Sequence, residues 1–219
     1  MTYKIGIRQT NSGHYAGISK KEVKNLKART ISYVALFTAL TAIGAFIKIP
    51  IPYIPFTLQI LAVYLAGALL GPRLGMLSQL CYVLIGLVGV PVFAEGGGFG
   101  YIFKPTFGYL LGYILGAYVN GWLINRFSLS TIRSIFFANA ASLLTVYFFG
   151  CIWLYGAMKW IVETPLSINQ TILYGFLLPV PGDLMLCILC AAIIQQVRPR
   201  IEKYINVKEL NHPWAKPTL

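Results

Sequence analysis

Residues 86–109 read GLVGVPVFAEGGGFGYIFKPTFGY, and the reading of this stretch decides the fold. It stands between two long apolar runs and continues neither. Pro91 ends any helix arriving through Leu74–Val90, because it lacks an N–H and its ring clashes with the preceding turn. Gly96, Gly97, Gly98 and Gly100 open backbone geometries closed to other residues and let a ligand approach the main chain. Glu95 and Lys104 bring charge into apolar surroundings, and Pro105 opens the next helix. There Gly108, Gly112 and Gly116 fall on one face at four-residue spacing, a pattern for close helix packing. A solvated linker has little use for Phe93, Phe99, Tyr101 and Phe103. The stretch is therefore expected to fold against a helix bundle as the wall or lid of a pocket.

Working outward, hydrophobic residues make up 57% of the 219 and charged residues only 11%, which excludes a soluble domain. Apolar runs near the ~20 residues that cross a bilayer recur along the chain. The expected fold is an all-α membrane protein of six transmembrane helices. The spans are Ile31–Ile47, Phe56–Gly71, Leu74–Val90, Pro105–Ile124, Ser134–Met158 and Ile168–Val197, with the glycine-rich loop between helices 3 and 4 on the outer side. A cleaved leader is not expected, since the first apolar run follows a long polar arm. Of the 18 Lys and Arg, 15 fall on one side of these spans and three (Lys48, Lys104, Lys159) on the other. That asymmetry places both termini in the cytoplasm. It divides the chain into a basic arm (1–30), a membrane domain (31–200) and a tail (201–219). The net charge of +12 thus orients the protein and meets anionic lipid; no nucleic-acid partner is expected.

Along span one, Ser32, Ala35, Thr38, Ala39, Ala42 and Ala45 make a small-residue stripe, the mark of a helix-docking face in lipid. Pro50, Pro52 and Pro55 then force an extended segment into span two, whose first turns carry Thr57 and Gln59. GPRLG (71–75) is a tight turn. Asn139 and Ser142 lie inside span five. The last apolar run, at 30 residues (168–197), is too long for one straight span. Pro179, Pro181 and Gly182 predict a short helix, a break at LLPVPG and a restart at Asp183. Broken helices in membranes are tolerated where they line protein or a cavity. Asp183 is equally a favoured N-cap residue at such a restart.

Both histidines lie in the tails, no GxxxxGK[ST] motif is present, and Asp183 is the lone acid within the spans. Metal, P-loop and acid–base chemistry are therefore not expected, nor is a cofactor, and an enzyme fits poorly. Cys187 and Cys190 have CxxC spacing but apolar surroundings and read as packing residues. What remains is a set of polar groups at the outer half of the bundle: Thr57, Gln59, the Glu95–Lys104 loop and Asp183. It suits a small amphipathic solute captured from outside.

PFTLQ (55–59), GLVGVPVFAEGGGFG (86–100), PTFGYL (105–110) and PGDL (181–184) occur in this order, and together they resemble the BioY family, the biotin-specific S components of energy-coupling-factor transporters. The resemblance covers residues 31–200. It implies a six-helix protein that binds biotin at its outer face and works with a transmembrane T component and two cytoplasmic ATPases. Taken with the polar groups read above, the expected substrate site is Thr57, Gln59, Glu95, Gly97, Gly98, Tyr101, Lys104, Tyr109 and Asp183. The resemblance also implies that Ala35, Ala39 and Ala42 dock the T component, Ala35 and Ala39 matching the family's AxxxA pattern. Two departures stand out. The family's lysine three residues after the PGD aspartate is Leu186 here, and its GPTGGY reads KPTFGY.

An S component for another vitamin, or a membrane scaffold without a solute, fits the residues alone. With biotin as solute, its carboxylate needs a donor that Leu186 does not supply. Lys104 is the leading candidate. Lys48, at the membrane edge, is a weaker one, and Lys159, in an outer loop, has Glu163 four residues on as its expected partner.

Overall fold

The computed structural model describes residues 7–9, 15–17, 20–50 and 52–204, with side chains described for 28–50 and 52–200. Two short strands, β1 (Ile7–Gln9) and β2 (Tyr15–Gly17), pair antiparallel ahead of α1 (Lys20–Phe46). Next come β3 (Lys48–Ile49), β4 (Phe56–Thr57), α2 (Gln59–Leu70), α3 (Pro72–Leu87), α4 (Phe107–Arg126) and α5 (Ile132–Trp160). The chain closes with α6 (Ile168–Ile172) and α7 (Val180–Tyr204). Among the described residues, four segments are long and apolar enough to cross a membrane: Ala28–Phe46, Phe107–Arg126, Ile132–Trp160 and Ile168–Arg200.

Two of the expected spans are shorter than the apolar runs that suggested them. α2 has 12 residues and α3 has 16. The proline-rich segment before Phe56 is used instead to pair β3 with β4, Lys48 opposite Thr57 and Ile49 opposite Phe56. α2 is buried on nearly every face, so it behaves as the core of the bundle and needs no lipid-length surface. Gly71 turns the chain from α2 to α3 at φ 83°, the left-handed region that favours glycine. At the start of the chain, the basic residues from Lys20 to Arg29 belong to α1. That part of the arm and the first span are therefore one continuous helix.

The α4 glycine ridge lies against α5. A methyl group on Gly108 would meet Trp153, one on Gly112 the Val146 backbone, and one on Gly116 the Val146 and Ser142 side chains. Ser142 Oγ donates to the Gly116 carbonyl at 2.8 Å, in the gap the ridge leaves. Asn120 Nδ2 donates to Asn139 Oδ1 at 2.8 Å, and Asn139 Nδ2 to the Cys187 carbonyl at 3.0 Å, so α4, α5 and α7 are tied together by amides. Buried polar groups in lipid need such partners.

The α1 stripe splits between two faces. Thr38 and Ala45 are buried; Thr38 Oγ1 donates to the Ser78 carbonyl at 2.8 Å, and Gln79 Nε2 donates to Thr41 Oγ1 at 3.1 Å. Ala42 is half-buried, whereas Ser32, Ala35 and Ala39 face outward with Leu36, Leu40 and Ile43.

The break in the last apolar run lies earlier than LLPVPG predicts. α6 widens into a π-turn over Leu173–Leu177, and α7 begins at Val180, ahead of Asp183. The cause is local. Pro179 has no N–H to donate to the carbonyl four residues back, that of Gly175, so helical bonding fails there. Asp183 is inside the first turn of α7, its N–H donating to the Pro179 carbonyl at 3.2 Å. Its carboxylate bonds a side chain of α5 instead of a backbone N–H.

Candidate functional site

The orphaned Gly175 carbonyl marks where the site begins. Tyr109, in the first turn of α4, donates its hydroxyl to it at 2.7 Å. Tyr147 on α5 donates its hydroxyl to Asp183 Oδ2 at 2.5 Å. The two tyrosine rings meet edge to face, centroids 6.1 Å apart. The π-turn is thus held by a hydroxyl from α4 and the start of α7 by one from α5.

On the other side, β4 leads into α2. Thr57 Oγ1 donates to Gln59 Oε1 at 3.0 Å, Gln59 Nε2 donates to the Tyr82 hydroxyl at 2.6 Å, and that hydroxyl donates to the Val92 carbonyl at 3.0 Å. The chain of bonds fixes β4 against the end of α3 and the glycine-rich loop.

The loop itself is a folded wall. Phe93 and Gly96 exchange backbone hydrogen bonds of 2.8 and 3.2 Å, which makes a tight turn with Ala94 and Glu95 at its tip. Buried Phe93 anchors it between Tyr82 and Tyr101, at centroid distances of 5.4 and 4.4 Å. Gly97 passes so close to the Val90 carbonyl that a Cβ there would overlap it, and Gly98 N donates to the Gly86 carbonyl at 2.7 Å. Two lysines grip the tip. Lys104 Nζ pairs with Glu95 Oε2 at 2.9 Å, and Lys48 Nζ donates to the Ala94 carbonyl at 2.5 Å. Thr106 donates to the Tyr101 hydroxyl at 3.1 Å, and burial pushes this phenol up to about 12, so it stays a neutral hydrogen-bonding group.

Between these walls lies an open cleft; the empty space it encloses, solvent at its mouth included, is about 580 Å³. Thr57, Gln59, Tyr101, Tyr109 and Asp183, named from the sequence, all line it. Glu95, Gly97, Gly98 and Lys104 do not: the loop reaches the cleft through Ala94 and Tyr101, and Glu95 and Lys104 are engaged with each other. Lys159 stands over the Trp160 ring, 5.1 Å from its centroid, and makes no ion pair with Glu163. Leu186, at the family's lysine position, is buried in the hydrophobic core.

Sequence reasoning missed Ile54, Thr106, Tyr113, Val146 and Tyr147, all of them lining residues. Tyr113 had a signal, since it follows Tyr109 by four positions and shares its helix face. Tyr147 had none, because its place depends on how α5 meets α7.

The fold and site define a helical membrane protein with an open cleft of polar and apolar lining at one end of its bundle. Comparison with known proteins agrees. Residues 19–203 match the family model described as the BioY family. A protein of Lysinibacillus sphaericus named "Probable biotin transporter BioY" is 43% identical over 175 residues, covering 80% of this chain and 89% of that one. "Biotin transporter BioY" of Lactococcus lactis subsp. cremoris (strain MG1363) is 30% identical over 180 residues, covering 80% and 93%. A solved structure described as the S-component for biotin from an ECF-type ABC transporter superposes with a TM-score of 0.71 at 25% identity, covering 84% of this chain and 95% of its own. The chain belongs to the BioY family.

Proposed function

We propose that this chain is the biotin-binding substrate-specificity subunit of an energy-coupling-factor uptake transporter, a transport protein and not an enzyme. The cleft carries the reading. Its lining joins Asp183, Thr57, Gln59 and four tyrosines (Tyr101, Tyr109, Tyr113 and Tyr147) to apolar residues such as Ile54, Phe56, Leu110 and Val146. Biotin's ureido ring offers two N–H donors and a carbonyl, and the rest of the molecule is largely aliphatic, so acceptor, donors and apolar surface all have counterparts. Thr57, Gln59, Tyr101, Tyr109 and Asp183 act as the site from the sequence-named set, while Glu95, Gly97, Gly98 and Lys104 shape the loop beside it.

The orientation follows from charge. Arg73, Arg126, Arg133 and Arg198 cluster at the end of the bundle opposite the cleft, where Arg198 Nη1 donates to the Leu129 carbonyl at 3.1 Å. The positive-inside rule puts that end, with both termini, in the cytoplasm of a plasma-membrane protein. Residues 31–200 form the membrane unit, 1–30 and 201–219 its cytoplasmic flanks. Capture is then from outside, and inward passage is driven by a T component with two ATPases.

The direct test is retention of radiolabelled biotin by the purified full chain in lipid nanodiscs, beside riboflavin and thiamine. Retention of biotin alone is expected. Retention of another vitamin in its place would reassign the substrate, and retention of none would leave a scaffold.

The exposed face of α1 is the docking surface for the T component, centred on Ala35 and Ala39, with half-buried Ala42 at its margin. Ala35→Trp or Ala39→Trp is expected to abolish copurification with the T component, because a large ring prevents close backbone approach. Neither side chain touches the cleft, so biotin affinity should stay within about twofold, the scatter allowed a distant surface change. Lost biotin binding with association intact would reverse the assignment.

A further inference from the structure

The cleft of a biotin carrier must deal with a solute that is polar at both ends, and one cation beside it, bonded to a lining residue, is still unassigned. Lys48 lies in β3, directly opposite the lining residue Thr57. Its ammonium reaches over to the carbonyl of a second lining residue, Ala94, at 2.5 Å. The side chain therefore links the β3–β4 ribbon to the tip of the glycine-rich loop, beside the cleft and bridging two of its lining residues without lining it itself. It is exposed, and among the described residues it has no acidic partner. Lys104 grips the same tip from the other side, but its charge is neutralised by Glu95 Oε2 at 2.9 Å. A carboxylate arriving at the mouth thus meets one lysine that is matched and one that is not.

Asp183 supplies the opposite polarity. It is anchored by Tyr147 on the wall formed by α5 and α7. A solute with N–H donors at one end and a carboxylate at the other fits this field in one direction only.

On the reading of the chain as a biotin carrier, we infer that Lys48 is the residue that binds the solute's carboxylate and, by holding the Ala94 carbonyl at the same time, ties the glycine-rich loop to the bound ligand. An ammonium has three N–H donors, so it can keep donating to the Ala94 carbonyl while donating another N–H to a carboxylate. A lysine acts here as a point charge on a flexible stem and needs no fixed fork geometry. An unpaired carboxylate would otherwise lose its hydration on entering the mouth.

The experiment compares biotin with biotin methyl ester and biotin amide by titration calorimetry on the full chain in nanodiscs, for wild type, Lys48→Met, Lys48→Arg and Lys104→Met. Wild type is expected to prefer the free acid. Lys48→Met should weaken biotin by roughly 10- to 100-fold, the range of one hydrogen bond to a charged group. The ester and amide should move by less than about twofold, so that the preference for the acid disappears. Lys48→Arg should restore most of it, and Lys104→Met should keep the wild-type preference. Unchanged neutral ligands also report that the variant is folded. If Lys48→Met weakens acid, ester and amide alike, the lysine is a loop tie only and the inference is wrong. It is equally wrong if none of the three changes, or if Lys104→Met abolishes the preference instead. A wild-type chain that retains none of the three ligands would overturn the biotin reading itself, a result separable from all of these.

Discussion

Asp183→Asn is expected to cost on the order of 1.5–3 kcal/mol of biotin affinity, roughly 10- to 100-fold, with the fold intact. The side chain does not cap α7: the helix starts at Val180, and Asp183 is already in its first turn. Tyr147 uses Oδ2, and no hydrogen bond from the described residues engages the other oxygen. That oxygen can accept from a ureido N–H. Asparagine keeps an oxygen for Tyr147 but replaces its partner with an NH₂ group, a donor facing a donor. It also removes the charge that strengthens the bond to the ligand. Tyr147→Phe separates ligand contact from support. It deletes the bond to Asp183 and leaves the carboxylate, so affinity should fall by less than about tenfold, the worth of one ordinary hydrogen bond. Calorimetry with both variants, beside thermal unfolding, decides the matter. An Asp183→Asn affinity within twofold of wild type would show that the carboxylate does not touch the solute.

Much of this site was legible because its parts sit at the ends of helices, where sequence leaves punctuation. Pro55 before Thr57 and Gln59, Pro105 before Tyr109, and Pro179–Gly182 before Asp183 each mark a chain direction change at the same end of the bundle. Prolines and glycines report such places through the backbone. Residues in mid-helix carry no such mark. Val146 and Tyr147 belong to an apolar run whose register is set against α7 by the Asn139–Cys187 bond and against α4 by Gly112 and Gly116, partners distant in sequence. The two lysines show the same limit from the other side. Lys104 adjoins a motif in the chain, which made it the leading carboxylate donor, yet nine residues away Glu95 turns back and neutralises it. Lys48 comes to the lining residue Ala94 only through a two-residue ribbon that no periodicity announces. Span two was overestimated for a related reason. Hydropathy registers burial in protein and burial in lipid alike, and α2 is buried in protein.

Gly112→Leu is expected to remove binding and stability together. A Cβ on Gly112 would stand 2.7 Å from Val146 Cα and 2.8 Å from its carbonyl oxygen, all backbone atoms that no rotamer change can withdraw. Any side chain there must push α4 from α5. These helices supply Tyr109 and Tyr113 on one side of the cleft and Val146 and Tyr147 on the other. Their separation pulls the two walls apart and strains both the Tyr109–Gly175 and Tyr147–Asp183 bonds. Overpacking a tight core costs about 1–3 kcal/mol where side chains can yield, and the cost here should reach or exceed the top of that range. A graded series gives the claim its test. Gly116→Ala meets Val146 Cγ2 at 2.9 Å and Ser142 Oγ at 3.0 Å, side-chain atoms with some freedom, and should be milder than Gly112→Ala. Gly100→Ala meets nothing within 4 Å and should be silent. Thermal unfolding temperatures and retained biotin are expected to fall in the order Gly100→Ala, Gly116→Ala, Gly112→Ala, Gly112→Leu. If Gly112→Leu kept wild-type unfolding and biotin retention, the close α4–α5 approach would not be what holds the cleft in shape.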